Sequence, residues 1–194
     1  MRYPTLRLND VGSAALLRTL PFLVVIVVLA IMVRRGRVKS ADIDLKEPDH
    51  WGTYLLWTVG FLAYALGVEL LLNAGGLLEV SPWEHTGIPS IILVIGAVVL
   101  APIAEELLFR GLILNVLMKR IGNKHIAIVL QALIFVLLHN FTYENTMASN
   151  IGIVQSALDA VLFGYARLYT RSLVTPITMH LSGNAIAIAE RFIL

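Results

Sequence analysis

From Leu20 to Val33 the chain runs through 14 residues without a single charged, amide or hydroxyl side chain, and the run stops at Arg34-Arg35-Gly36-Arg37. A soluble domain has little use for so long an unbroken apolar stretch. A bilayer does, because about 20 mostly apolar residues make one spanning helix that satisfies every backbone N–H and C=O internally. The arginines read as a stop-transfer flank and no small-residue cleavage site accompanies them. The run is therefore read as a retained span starting near Ala14, not as a signal peptide. The rest of the chain has the same character. Charged residues make up 14% of its 194 residues, against about 25% in soluble domains, and the mean hydropathy is +0.80. One integral membrane domain over residues 1–194 is expected, with the lipid bilayer as its first partner. The net charge of +2 and the placement of basic residues beside apolar runs give no reason to expect nucleic acid. The absence of cysteine excludes disulfides, thiolate metal sites and a cysteine nucleophile.

Apolar stretches predict helices near 14–33, 52–73, 88–118, 125–139, 150–169 and 173–193. The fold class is all-α, a multi-pass transmembrane bundle of about six to eight helical segments. Pro102 lies inside the long third stretch, where a missing N–H and a ring clash predict a break or kink. Lys and Arg cluster at 34–39, 119–124 and 167–171, whereas 74–87 and 140–149 contain none. These regions alternate if 88–118 crosses once, which puts the basic loops in the cytoplasm and the N-terminus outside. Arg2, Arg7 and Arg18 weigh against that N-terminal placement. A hairpin at Pro102 is the rival topology.

Three polar clusters interrupt the apolar background: Glu105-Glu106-Leu-Leu-Phe-Arg110, Phe135-Val-Leu-Leu-His139 and His180-Leu-Ser-Gly-Asn184. Each charge near a bilayer centre costs about 2.5–3.5 kcal/mol on insertion scales, so such groups are functional candidates by default. At about 1.5 Å per residue, Glu105, His139, His180 and Asn184 fall at depths that helix tilt can bring to one level. Glu106 and Arg110 are four apart, share a face and can pair, which a purely structural charge pair would also do. Glu105 points about 100° away, with no partner on its own helix, and suits a general base. His180 and Asn184 also share a face, with Ser182 and Gly183 between them permitting close helix packing. Taken together the set reads as a hydrolytic site: one Glu and one His hold and activate water, and the other His and the Asn donate to an oxyanion. Ser182 has no activating base and no nucleophile elbow around it. Zinc is a minority reading, since Glu and His are zinc ligands but no H-E-x-x-H is present.

E-E-x-x-x-R, F-x-x-x-H and H-x-x-x-N, in this order, resemble the CPBP family of CAAX prenyl endopeptidases and bacterial relatives linked to bacteriocin processing and self-immunity. The stretch Leu162-Phe-Gly-Tyr-Ala-Arg-Leu-Tyr-Thr-Arg-Ser-Leu-Val-Thr-Pro-Ile-Thr-Met-His180 looks like the family's last motif region. The resemblance covers about residues 88–190. It implies a metal-independent glutamate intramembrane endopeptidase, acting on a peptide or protein in or beside the membrane, in a bacterial cell membrane. Carried over, Glu105 and His139 activate water, His180 and Asn184 form the oxyanion hole, and Glu106 and Arg110 support the site.

Outside the motifs, Asp159 lies inside a predicted span with Gln155 one turn earlier. It reads first as a buried hydrogen-bonding group, then, with Phe135, as part of a cleft lining. Glu69 is expected at the membrane interface, and Trp51, Trp57 and Trp83 in an interfacial belt. Asn140-Phe-Thr142 matches a glycosylation acceptor by chance. Two other functions suit the same residues, a proton-coupled transporter and a non-catalytic membrane immunity or scaffold protein. The oligomeric state is left open.

Overall fold

A computed structural model describes residues 11–77, 80–139 and 143–193 of the chain. Arg2, Arg7, Glu79 and the Asn140-Phe-Thr142 match lie outside the described residues. The described residues are helical throughout: α1 (Val11–Arg34), α2 (Trp51–Ala74), α3 (Gly87–Ile121), α4 (Lys124–Leu137), α5 (Met147–Thr170) and α6 (Val174–Ile193). Four of them, α1, α2, α3 and α5, are long and apolar enough to cross a membrane. α4 has 14 residues, or about 21 Å of rise, short of a hydrocarbon core of about 30 Å. The strict alternation drawn from the basic loops, which needed this segment to cross, therefore lacks one full-length span.

The outer surface is apolar. Leu16, Leu20, Val24 and Val28 on α1, and Leu56 and Leu70 on α2, are exposed, as lipid-facing residues are. Association among such helices rests on close packing and interhelical hydrogen bonds. Small residues supply the closeness. A Cβ on Gly96 would lie 2.1 Å from Thr19 Cγ2, where α1 crosses α3, and one on Gly164 would lie 2.9 Å from Ile128, where α5 crosses α4. The helix ends are capped conventionally. Asn123 Oδ1 accepts from the N–H groups of His125 and Ile126, and Thr146 and Ser149 form a reciprocal capping box at α5.

The long third stretch is neither broken nor a hairpin. α3 runs unbroken for 35 residues because two segments, Gly96–Leu100 and Glu106–Ile113, take the wider π register. The Ala101 N–H reaches back five residues to Gly96 O. Continued to the next residue, that register would ask Pro102 for an N–H to Ala97 O, which proline lacks. The helix passes the proline at the expense of one displaced carbonyl. At the second segment, the Leu114 N–H bonds Phe109 O and bypasses Arg110 O. Both carbonyls are taken up by other helices. Asn184 Nδ2 donates to Ala97 O at 2.8 Å, and Arg167 Nη1 donates to Arg110 O.

Arg167 flanks the α5–α6 turn from the last turn of α5, as its place in the predicted helix 150–169 implies, but it is only 2% exposed. Besides Arg110 O, it holds Asp44 Oδ2 at 3.1 Å and Asp42 O at 3.3 Å. It thus ties α5 to α3 and to the connector after α1. That connector also clasps the α5–α6 turn, with Leu173 N donating to Asp44 O and Asp49 N donating to Thr170 O.

Candidate active site

The two π segments frame the turn Ala101–Glu105, so the acidic pair sits where α3 is pinned on both sides. Glu106 points inward and is fully buried. Its Oε1 accepts from Arg110 Nη1 at 2.7 Å and from His180 Nδ1 at 2.9 Å. Arg110 is equally buried. Its guanidinium lies between two aromatic faces, 4.7 Å from the Phe135 centroid and 5.1 Å from that of Phe163. This arrangement compensates two charges that neither lipid nor core could hold singly.

The hydrogen bond to Glu106 also settles the chemistry of His180. A carboxylate paired with arginine only accepts, so the Nδ1 of His180 carries a proton. Its other nitrogen, Nε2, lies 3.7 Å from Glu105 Oε2. The ring is stacked on Phe163, with centroids 5.1 Å apart, and reaches one carboxylate from each of its nitrogens. His139 is fixed from its own helix: Nδ1 donates to Phe135 O at 2.7 Å, which makes Nε2 the basic nitrogen of the neutral ring.

These groups meet in one cavity of about 360 Å³. Glu105, His139, His180 and Asn184 all line it, as do Phe135 and Asp159, whereas Glu106 and Arg110 stand behind its wall. Asn184 directs Nδ2 to Ala97 O while its amide borders the same space, and an amide nitrogen has a second N–H to give. Ser182 donates to Thr178 O within its own helix. Gly183, as expected from its size, faces an aromatic neighbour, with a Cβ there meeting Phe61 at 3.4 Å.

The far side of the cavity was read less well. Glu69, expected at the membrane interface, also lines the cavity and accepts from Gln155 Nε2 at 3.2 Å. Asp159 is hydrogen-bonded to Tyr64. Phe163, which touches both His180 and Arg110, was not singled out. The available signal was its place four residues beyond Asp159, on the same face of one helix. Among the described residues, no three His, Cys, Asp or Glu side chains converge in an arrangement that would hold a metal ion.

The comparisons with known proteins can now be set beside this geometry. Residues 87–186 match the family described as Type II CAAX prenyl endopeptidase Rce1-like. The chain belongs to this family. The matched segment starts at the first residue of α3 and reaches into α6, so it takes in all three polar clusters, while α1 and α2 lie outside it. The chain is also 27% identical over 139 residues to an Escherichia coli protein described as an uncharacterized 24.3 kDa protein, covering 68% of this chain and 62% of that relative. No solved structure gives a significant match.

Proposed function

We propose that this chain is an intramembrane endopeptidase that hydrolyses a peptide bond of a membrane-associated peptide or protein, as an integral multi-pass protein of a bacterial cell membrane. The observation that carries the reading is the convergence of Glu105 from α3, His139 from the turn just after α4, and His180 and Asn184 from α6 on one cavity.

In this reading a water molecule sits between the Glu105 carboxylate and the His139 ring. Glu105 takes a proton as the water oxygen bonds to the scissile carbonyl carbon, and the carbonyl electrons move onto oxygen. The role asks His180 to carry a proton on Nε2 as well as on Nδ1; from there it donates to that oxyanion, and Asn184 donates its second N–H. Such donors are worth about 2.7–4 kcal/mol each in known cases. The proton held by Glu105 then passes to the departing amine as the C–N bond breaks. Glu106, itself held by Arg110, fixes the His180 ring through Nδ1 without touching substrate. Family membership supports a protease activity. The particular roles and metal independence belong to the proposal.

The test is cleavage of a membrane-tethered peptide by the purified protein in detergent or proteoliposomes. Glu105→Gln and His139→Ala are expected to abolish turnover while preserving the thermal melt, and a strong chelator is expected to leave it intact. Undiminished cleavage by both variants would sink the mechanism. Loss of activity in chelator, restored by zinc, would replace it with a metal-dependent one.

A further inference from the structure

A pocket of about 310 Å³ lies at the basic end of the bundle. It is bordered by Leu114 and Met118 of α3, by Arg167 and Leu168 of α5 with Arg171 just past its end, and by Asp44 of the connector. Among the described residues it shares no lining with the cavity that holds Glu105 and His180. Leu114, Met118 and Leu168 make part of it apolar. Two guanidiniums make the rest cationic.

The two arginines are held differently. Arg167 is only 2% exposed and donates to Asp44 Oδ2, Asp42 O and Arg110 O, so it is a fixed part of the wall. It also matches the one carboxylate that borders this space, with Nη2 at 3.1 Å from Asp44 Oδ2. Arg171 supplies the excess charge. Its side chain is 75% exposed, and Asp49 Oδ2 stands 3.8 Å from its Nε, beyond hydrogen-bond range. The Asp49 carboxylate already takes the Lys46 ammonium. The surroundings have the same sign. The connector is bonded to the α5–α6 turn and paired with Lys119, which draws residues 34–50, 119–124 and 167–171 to one end. Over these segments ten Lys and Arg stand against four Asp and Glu.

Such a place suits a ligand with an anionic group on an apolar body. A free phosphate would meet Arg171 and make no use of Leu114, Met118 and Leu168. A zwitterionic phospholipid would bring its own cation to an end already rich in cations. A phospholipid of net negative charge answers both features. Its phosphate oxygens accept from a guanidinium in forked geometry, and basic pockets between membrane helices hold such headgroups. The size falls within the range of ligand-holding pockets, about 300–1,000 Å³.

We infer that this pocket holds the headgroup of one anionic phospholipid, with Arg171 as its principal donor and Arg167 as the fixed cation behind it. The inference needs the chain to sit in a membrane and does not need it to be a peptidase. The headgroup adds a link among α3, α5 and the connector where Arg167 already clamps them, so its binding is read as stability.

The experiment compares the full-length protein in nanodiscs of phosphatidylcholine alone and of phosphatidylcholine mixed with phosphatidylglycerol. Phosphatidylglycerol is expected to raise the melt of the native chain by about 2–4 °C. Native mass spectrometry should find one phosphatidylglycerol retained per chain. Arg171→Gln removes the donor and Met118→Trp fills the pocket; both should lose the retained lipid and most of the rise, with their melts in phosphatidylcholine showing that they are folded. Lys39→Gln removes an exposed cation of the same end that does not line the pocket, and it should keep both signals. Equal native melts in the two lipids overturn the site. So does a rise that Arg171→Gln and Lys39→Gln reduce alike, which is the mark of diffuse surface charge. Inorganic phosphate that reproduces the rise for native protein in a zwitterionic detergent overturns it in favour of a soluble anion.

Discussion

Asn184→Ala should expose a debt that Pro102 creates and should be repaid when the proline is removed. The Ala97 carbonyl is displaced from the α3 ladder because residue 102 has no N–H, and it is held by Asn184 Nδ2 at 2.8 Å. Removing that donor leaves a backbone acceptor unpaired, at a cost of about 1–3 kcal/mol when fully buried. Interhelical side-chain hydrogen bonds in membranes average nearer 0.6 kcal/mol. Ala97 is only half-buried, so the expected loss is about 1 kcal/mol. Pro102→Ala supplies an N–H that can satisfy this stretch of the ladder in either register. In that background Asn184→Ala should cost little, giving a coupling energy of about 1 kcal/mol between residues 82 positions apart. The assay is a double-mutant cycle of reversible unfolding in mixed micelles, run alongside peptide cleavage. Equal losses in both backgrounds would refute the capping argument. Cleavage provides a second check. If the second N–H of Asn184 serves the oxyanion as proposed, Asn184→Ala should lower kcat by about 10²–10³-fold, and Pro102→Ala should not recover it. If activity returns together with stability, Asn184 is a structural residue and the oxyanion assignment is wrong.

Three further outcomes follow from the geometry. Arg110→Met leaves the fully buried Glu106 without its cation and should destabilise by about 3–5 kcal/mol, read as loss of a folded monodisperse peak or a collapsed melt. Gly96→Ala places a methyl against Thr19 and should cost about 1–3 kcal/mol by overpacking, with Thr19→Ala in the same chain recovering most of it in the melt. In the connector before α2, the Lys46 ammonium bonded to Asp49 holds that carboxyl below its ordinary range. A lowered folded value means that the stabilisation is complete above the unfolded value of about 3.9 and fades as pH falls through the folded one. A small acid-side decline in the melt should therefore vanish in Asp49→Asn.

Periodicity and spacing made much of the fold, and of which polar residues meet, readable in advance. Helices separated by polar turns, and the pairing of residues four apart at Glu106/Arg110, follow from local geometry alone. The meeting of the three clusters could be argued from depth, because a bilayer fixes where a helix starts and stops. The π register was not legible. An interior proline reads as a kink since it deletes one ladder bond, but whether the chain bends or widens by a residue depends on a donor 82 positions later. The burial of Arg167 went unread for a similar reason. Near the end of an apolar run an arginine looks interfacial, and its burial depends on Asp44 and on the carbonyl of Arg110, neither close in sequence. Glu69 was placed by its distance from a helix end, a measure that carries no rotational information, so its turn toward Gln155 went unseen.

Phe135 touches three of the polar groups at the centre. Its ring lies under the Arg110 guanidinium, 4.5 Å from the His139 ring centroid and 6.2 Å from that of His180, and its own carbonyl anchors His139. Turning that one side chain would loosen the footing of the arginine and tilt both imidazoles in the same motion. The guanidinium and the two imidazoles therefore share one footing, the benzyl group of residue 135.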